Sequence, residues 1–439
     1  MSTPSRTAQI RALAQRDPRQ AEALLAALLG DLFAIKPLNL KINHDRYSLN
    51  SLNGFFDTQG EDGSGGAFFF KFHQEEGEEA MAGEYYRADI LARAGLPVDQ
   101  PVHMSAEPGE QILVYRRRDE PRFSDILRAL DLSDDAAGRG SAVAAEKDLG
   151  AALLATYLAT LHPITPAEAA AEPIHRLFHE RLIERVGEGL PPRYPAGRYG
   201  EFYVGKPFAF PGVTLDWNDL STRRFTVNAI TYASTLGQIF DAAEARLRPE
   251  RLADAGGVVA HGDAHNANVW FSQGSDGARL SFFDPAFAGA GVPTLLAEVK
   301  TTFHNIFAHP FWLYDPDLAS TRFTAKARLE PGHIVVESDW EITPVRAALL
   351  DVKADGIWRP LLAELKARGM LPADWRAVIR LALFLCPTLV MNLRAGARTH
   401  TPLSSLIAFS VAVMVGSEPV TGEDVVTRFL DRIDPDGPQ

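Results

Sequence analysis

Between Val258 and Gly289 the chain sets an aspartate, an amide and a second aspartate at spacings that suit one kind of chemistry. An apolar approach, Val258-Val259-Ala260, leads into His261-Gly262-Asp263. Asn268 stands four intervening residues further on, and the β-forming run Val269-Trp270-Phe271 follows at once. After a polar turn, Gly274 to Gly277, a second β-forming run from Leu280 to Phe283 ends on Asp284. The pattern predicts a loop, a strand, a hairpin turn and a strand, with Asp263, Asn268 and Asp284 at the open ends. A carboxylate, an amide oxygen and another carboxylate are the base and the hard oxygen ligands that Mg²⁺-dependent phosphoryl transfer requires. A metal-hydrolase reading competes, because His261, Asp263 and His265 alternate and a strand would turn all three to one face. That reading lacks a second histidine cluster to complete the site and leaves Asn268 without a role.

Aspartate, four residues, asparagine, hairpin, aspartate is the catalytic-loop order of protein kinases, with His-Gly-Asp in place of His-Arg-Asp. His261, Gly262, Asp263, His265 and Asn268 together spell His-Gly-Asp-x-His-x-x-Asn. On these residues the chain resembles the aminoglycoside phosphotransferase and choline kinase family of small-molecule kinases. The resemblance implies a protein-kinase-like α+β fold of two lobes, a small β-rich one and a larger, mainly helical one. It implies Asp263 as the base that orients and deprotonates a substrate hydroxyl, and Asn268 and Asp284 as Mg²⁺ ligands. His261, Gly262 and His265 support the motif; for both histidines, a hydrogen-bonding role in the loop is favoured over chemistry. ATP or GTP would be the co-substrate. Asp284-Pro285 replaces the usual Asp-Phe-Gly, and Asp-Pro-x-Phe-Ala looks like the methylthioribose kinase version, which draws the acceptor toward a sugar.

Elements must position these groups. Residues 1–36 read as a helical extension closed by Pro37. From 37 to 116 the texture is that of a small lobe: β-like runs LNLKIN, SLNGFF and AFFFKF, a helix from Glu78 to Ala94, then a strand from Gln111 to Tyr115. Lys71, inside AFFFKF, is costly to bury without an anion. By the resemblance it meets the nucleotide's α- and β-phosphates and is anchored by Glu84, with Glu78 and Glu79 as competing choices. The nucleotide loop has no Gly-x-Gly-x-x-Gly; Ser48, Asn50 and Ser51 offer hydroxyl and amide contacts instead, or form a turn that touches no nucleotide. Val114 and Tyr115 fall at the expected linker, where backbone would meet the base.

Residues 117–439 read as the helical lobe. Within it, Asp131 to Lys147 reads as a polar loop before a helix from Asp148, and residues 321–342 as an inserted β-hairpin. The aromatic, proline-rich section around 193–220 is a candidate acceptor cover. Asp216, Asp219 and Glu298 are acids available should the acceptor be cationic.

The chain has 439 residues, of which 44 are basic and 56 acidic, for a net charge of −12. That balance argues against a nucleic-acid partner. The single cysteine, Cys386, excludes an internal disulfide and sits in an apolar run that predicts a buried thiol. The N-terminus lacks the apolar core of a signal peptide and no run is long enough to span a bilayer, so a cytoplasmic protein without a membrane partner is expected. The function expected is transfer of a γ-phosphoryl group to a hydroxyl of a small molecule: a sugar, amino sugar or amino alcohol. Two alternatives stand beside it, an aminoglycoside-type resistance kinase and a nucleotide-binding pseudokinase with a regulatory role. The intact set of Lys71, Asp263, Asn268 and Asp284 disfavours the pseudokinase.

Overall fold

A computed structural model describes residues 5–14, 16–43, 51–59, 65–73, 80–105, 107, 109–187 and 189–437, with backbone only at Ser51, His73 and 80–86. The fold is α+β and divides into two compact units. One comprises Met1–Arg93, Pro97–Glu120 and Ser281–Ala286; the other comprises Ala94–Leu96, Pro121–Leu280 and Phe287–Gln439.

The smaller unit is built on an antiparallel sheet of β1 (Leu38–Ile42), β2 (Ser51–Gln59), β3 (Gly65–His73), β4 (His103–Ser105) and β5 (Ile112–Arg116), in the order β1-β2-β3-β5-β4. Period-two alternation sorts the phenylalanine-rich β3 into two faces. Phe70 and Phe72 are fully buried, joining Phe56 of β2 and Val114 of β5. Against them pack Ile10 of α1 (Arg6–Ala14) and Leu25, Leu28 and Leu29 of α2 (Pro18–Phe33). Asp17 caps α2 by accepting from the Gln20 amide, and Pro18 starts its first turn. Gly54, opposite Phe70, leaves room for that ring, since a Cβ there would come within 2.7 Å of it. Lys71 therefore points to the other face, paired in register with Asn53 and Leu113. The helix α3 (Ala80–Arg93) completes the unit.

The larger unit is mainly helical. Its longest helix, Ala136–Thr160, begins well inside the stretch expected as a loop. Alanine is the strongest helix former, and Asp135 caps the start by accepting from the Gly138 amide. Small residues also let the helix approach its neighbours: Ala142, Ala145 and Gly150 are buried, and a Cβ on Gly150 would touch Ile357. The apolar helices Trp375–Val390 and Pro402–Gly416 form the centre of the unit and are buried along most of their length. Among the described residues no helix is long and apolar enough to cross a membrane. A hairpin of Ala325–Glu330 and His333–Ser338 is present, and its second strand pairs in parallel with Arg224–Val227. A four-stranded sheet results, which local sequence signals do not foretell because its middle pairing spans over a hundred residues.

Candidate active site

The strand Gly257–Ala260 delivers the chain to His261, and the loop His261–His265 ends in the short turn Asn266–Asn268. The strands Val269–Gly274 and Gly277–Phe282 then form a two-stranded hairpin before Asp284. Gly262 holds φ +77°, and a Cβ there would collide with the carbonyl oxygen of Phe287. Only glycine meets both conditions at once, which accounts for its place between His261 and Asp263.

Hydrogen bonds fix the loop. The Asp263 amide donates to His261 Nδ1 at 3.4 Å, and the Ala267 amide donates to His265 Nδ1 at 3.3 Å. Asn268 donates through Nδ2 to the Asp263 main-chain carbonyl (3.0 Å), which orients its amide and leaves Oδ1 as the acceptor end. The Asn266 amide donates to Asn305 Oδ1 at 2.7 Å, and the Asn305 carbonyl in turn accepts from Arg346 Nη1, also at 2.7 Å. Arg346 is fully buried and forks onto Asp131, with Nη2 at 2.6 Å and Nε at 3.1 Å. Asp131, expected at the edge of a loop, is the buried anion that anchors this support.

Around Asp263 the larger unit gathers positive charge. Lys300 is 3% exposed and holds Nζ 3.4 Å from Asp263 Oδ1; His265 Nε2 lies 3.8 Å from Oδ2. Burial alone would raise the Asp263 carboxyl, but Lys300, His265, His261 and Arg181 outweigh it and hold the group below the ordinary aspartate value. Oδ1 is buried and, among the described residues, makes no hydrogen bond. Lys300 Nζ also lies 3.0 Å from His304 Nε2, and His304 Nδ1 lies 2.5 Å from the Tyr314 hydroxyl. An ammonium can only donate, so Nε2 accepts and the ring proton sits on Nδ1, which donates to the Tyr314 oxygen. Burial, followed by Lys300 and His265, keeps His304 well below the usual histidine range, in agreement with a neutral ring. His304 and Asn305 both lie on a π-helical turn, Phe303–Phe307, marked by the Ala308 amide donating to the Phe303 carbonyl. That wide turn presents both side chains to the loop.

Lys300, His304, Tyr314 and Arg181 escape a reading of the sequence. The available signal is Lys300 four residues before His304, a spacing that puts both on one face of a helix. Among the described residues no three His, Cys, Asp or Glu side chains converge to hold a metal ion, so His261, Asp263 and His265 do not form the hydrolase ligand set.

In the smaller unit, Lys71 is 12% exposed and its Nζ lies 2.8 Å from Asp284 Oδ1. Asp284 is thus one anion that the largely enclosed lysine meets. Asp284 itself adopts φ +55°, an uncommon conformation for a non-glycine residue. The run leading to it is held by the Phe282 amide donating to the Pro97 carbonyl and the Asp99 amide donating to the Phe282 carbonyl. Arg118 bonds both Asp99 and Ser281. Val114 and Tyr115 lie on β5. Glu84 lies on α3, but its side chain, that of Ser51, and the whole of Ser48 and Asn50 fall outside the described residues.

The three acids expected to await a cationic acceptor are otherwise engaged. Glu298 is fully buried, accepting from the Tyr157 hydroxyl (2.6 Å) and Lys353 Nζ (2.9 Å). Glu146 joins Lys353 from its other side at 2.9 Å. Asp216 caps the helix Trp217–Thr222, and Asp219 pairs with Arg223.

No curated protein sequence matches the chain. Among solved structures, amicoumacin kinase hAmiN in complex with AMP-PNP, Ca²⁺ and Ami is similar over 92% of this chain and 95% of its own, with 15% identity and a TM-score of 0.47. Macrolide 2′-phosphotransferase MphH from Brachybacterium faecium, an apoenzyme, is similar over 82% and 97%, with 13% identity and a TM-score of 0.34. The model of the phosphotransferase enzyme family (APH) matches residues 52–295, more than half of the chain and the stretch that carries Lys71, Asp263, Asn268 and Asp284. The chain belongs to that family and is a small-molecule phosphotransferase with a hydroxyl group as acceptor.

Proposed function

We propose that the enzyme moves the γ-phosphoryl group of ATP or GTP to a hydroxyl of a small molecule, with Asp263 as the base. The observation that carries this reading is the setting of Asp263: partly exposed, paired at Oδ1 with Lys300 but without a hydrogen bond there among the described residues, and held below the ordinary aspartate value by surrounding cations. Such a carboxylate is ready to accept a proton from an acceptor hydroxyl. As the acceptor oxygen bonds to phosphorus, its proton passes to Asp263 and the bond from phosphorus to the bridging oxygen breaks, releasing the nucleoside diphosphate. Positioning and charge supply the rate, since the transition state asks little covalent work of the protein.

Asn268 Oδ1 and the Asp284 carboxylate are each an oxygen donor of the kind a divalent cation takes, and Mg²⁺ is the ion assigned to them. Bound there, the metal would neutralise phosphate charge. Lys71 serves the α- and β-phosphates, with Glu84 as its helix partner. Ser48, Asn50 and Ser51 are assigned to the phosphates by the resemblance, and the backbone at Val114 and Tyr115 to the base. His261, Gly262 and His265 hold the loop in shape. The test is transfer from γ-labelled ATP and GTP, with Mg²⁺, to a panel of sugars, amino sugars, amino alcohols and hydroxy acids. Labelled product from at least one class is expected; nucleotide binding without transfer to any class would favour the regulatory pseudokinase instead.

A further inference from the structure

The larger unit assembles guanidinium groups that no carboxylate pairs among the described residues. Arg181, on the turn His179–Arg181, and Arg198, in the helix Gly197–Phe202, each direct Nη1 at the same carbonyl, that of Leu389, at 3.4 and 2.9 Å. Arg198 Nη1 also lies 3.3 Å from the Val390 carbonyl. Gly197 permits the approach: it holds φ +52°, and a Cβ there would stand 2.7 Å from the Arg181 carbonyl oxygen. Arg398 is exposed beyond the end of the helix Trp375–Val390 and adds a third positive charge that acts on Arg198.

Capping the last carbonyls of that helix explains one cation, since its C-terminus carries partial negative charge. Two guanidinium groups on one carbonyl are more than a cap requires. Each carries five N–H donors, and most of them are left without a partner by these bonds. Burial and then Arg198 push Arg181 down to about 10, with Asp263 acting the other way. Burial and then Arg398 lower Arg198, offset in part by Glu201. Among the described residues none of Arg181, Arg198 and Arg398 forms an ion pair, whereas Arg246, Arg346, Arg376 and Arg432 are each held by carboxylates. Like charges half-buried together destabilise a fold unless an anion joins them. Arg181 also helps hold down the Asp263 carboxyl, so the group of cations extends to the proposed base.

We propose that Arg181, Arg198 and Arg398 form an oxyanion-recognition subsite for a carboxylate or phosphate carried by the acceptor, which makes the substrate an anionic alcohol rather than a polycation. The inference rests on the phosphotransferase reading with Asp263 as base. Guanidinium forks match carboxylate and phosphate oxygens in geometry as well as charge, and they bind them more strongly than neutral donors do. A substrate anchored there by its anion would be oriented for transfer before any contact with its hydroxyl is made.

The test is calorimetric titration of the full chain at low ionic strength with inorganic phosphate and, separately, malonate, alone and with saturating MgADP. Saturable binding of at least one anion is expected, and the two arms tell phosphate from carboxylate recognition. Arg198→Gln is expected to weaken binding about tenfold or more, Arg198→Lys less, and the exposed Arg398→Gln severalfold. MgADP affinity should stay unchanged, a readout that separates failure of this subsite from failure of the phosphotransferase reading. Melting curves check folding, and Arg398→Gln keeps the test valid should the buried substitutions unfold the protein. Binding of neither anion, indifference to Arg398→Gln, or displacement of the anion by MgADP would overturn the proposal.

Discussion

At the scale of single residues, Lys300 and Asp284 make separable predictions. Lys300 is the largest favourable charge acting on the partly exposed Asp263 carboxylate. In Lys300→Met the carboxyl loses that charge, so its pKa moves up and the acid limb of kcat/KM shifts to higher pH. Turnover at neutral pH is expected to fall by up to about a hundredfold, because the loop also loses a positioning contact. A pH–rate profile of the variant checks both points; an unmoved acid limb would remove Lys300 from the account. Asp284→Asn replaces a carboxylate that meets Lys71 and is assigned to the divalent ion. The Mg²⁺ dependence of nucleotide binding should weaken, read by titration with and without the metal. The shape of the loop was legible because it is set locally: Gly262 must turn the chain, and Asn268 caps the Asp263 carbonyl five residues back. Lys300 was not, because its partner Asp263 is reached only through tertiary packing.

At the scale of elements, the catalytic loop depends on a buried chain of contacts that runs from Asn266 through Asn305 and Arg346 to Asp131. Arg346 and the Asp131 carboxylate are both fully enclosed. Arg346→Met leaves that carboxylate buried without its counter-ion, and a loss of about 3–5 kcal/mol in stability is expected. Adding Asp131→Leu should restore a large part of it, since an apolar pair costs less than a lone buried charge. Denaturant unfolding of the single and double variants decides; equal loss in both would mean the contribution is packing alone. The hairpin 325–338 and the strands around Asp284 were legible from alternation and turn residues. The helix over 136–147 was hidden by its polar, small-residue composition, although alanine content and the Asp135 cap were there to be weighed. The π-turn at Phe303–Phe307 has no sequence signature of its own, because it arises where tertiary contacts widen a helix.

Over the whole molecule, buried neutral histidines tie stability to pH. His175, His179, His304, His309 and His400 all have pKa values lowered chiefly by burial, His400 to about 4. Below about pH 6.5 the unfolded chain takes up protons at these positions while the folded protein does not, so stability falls with falling pH. For each such group the loss approaches about 1.4 kcal/mol per pH unit until its folded pKa is reached. Melting temperature is therefore expected to drop between pH 7.5 and 5.5, before most carboxylates titrate; a flat profile would show that the histidines gain partners on protonation. Composition gave the class of molecule and its acidic balance, yet it could not show where charge is concentrated. A chain of net charge −12 surrounds its proposed base with cations, and Glu298, an acid once open to a cationic acceptor, lies buried against Lys353 and Tyr157.

Whether Asp263 is the base of phosphoryl transfer is decided by Asp263→Asn, since the amide keeps the shape and removes the basic oxygen. Turnover with a transferring acceptor and the affinity for Mg²⁺-nucleotide are measured on the same preparation. A loss of about 10²–10⁴-fold in kcat is expected, with nucleotide affinity within about twofold of the parent. Turnover near that of the parent protein, at unchanged nucleotide affinity, would contradict it.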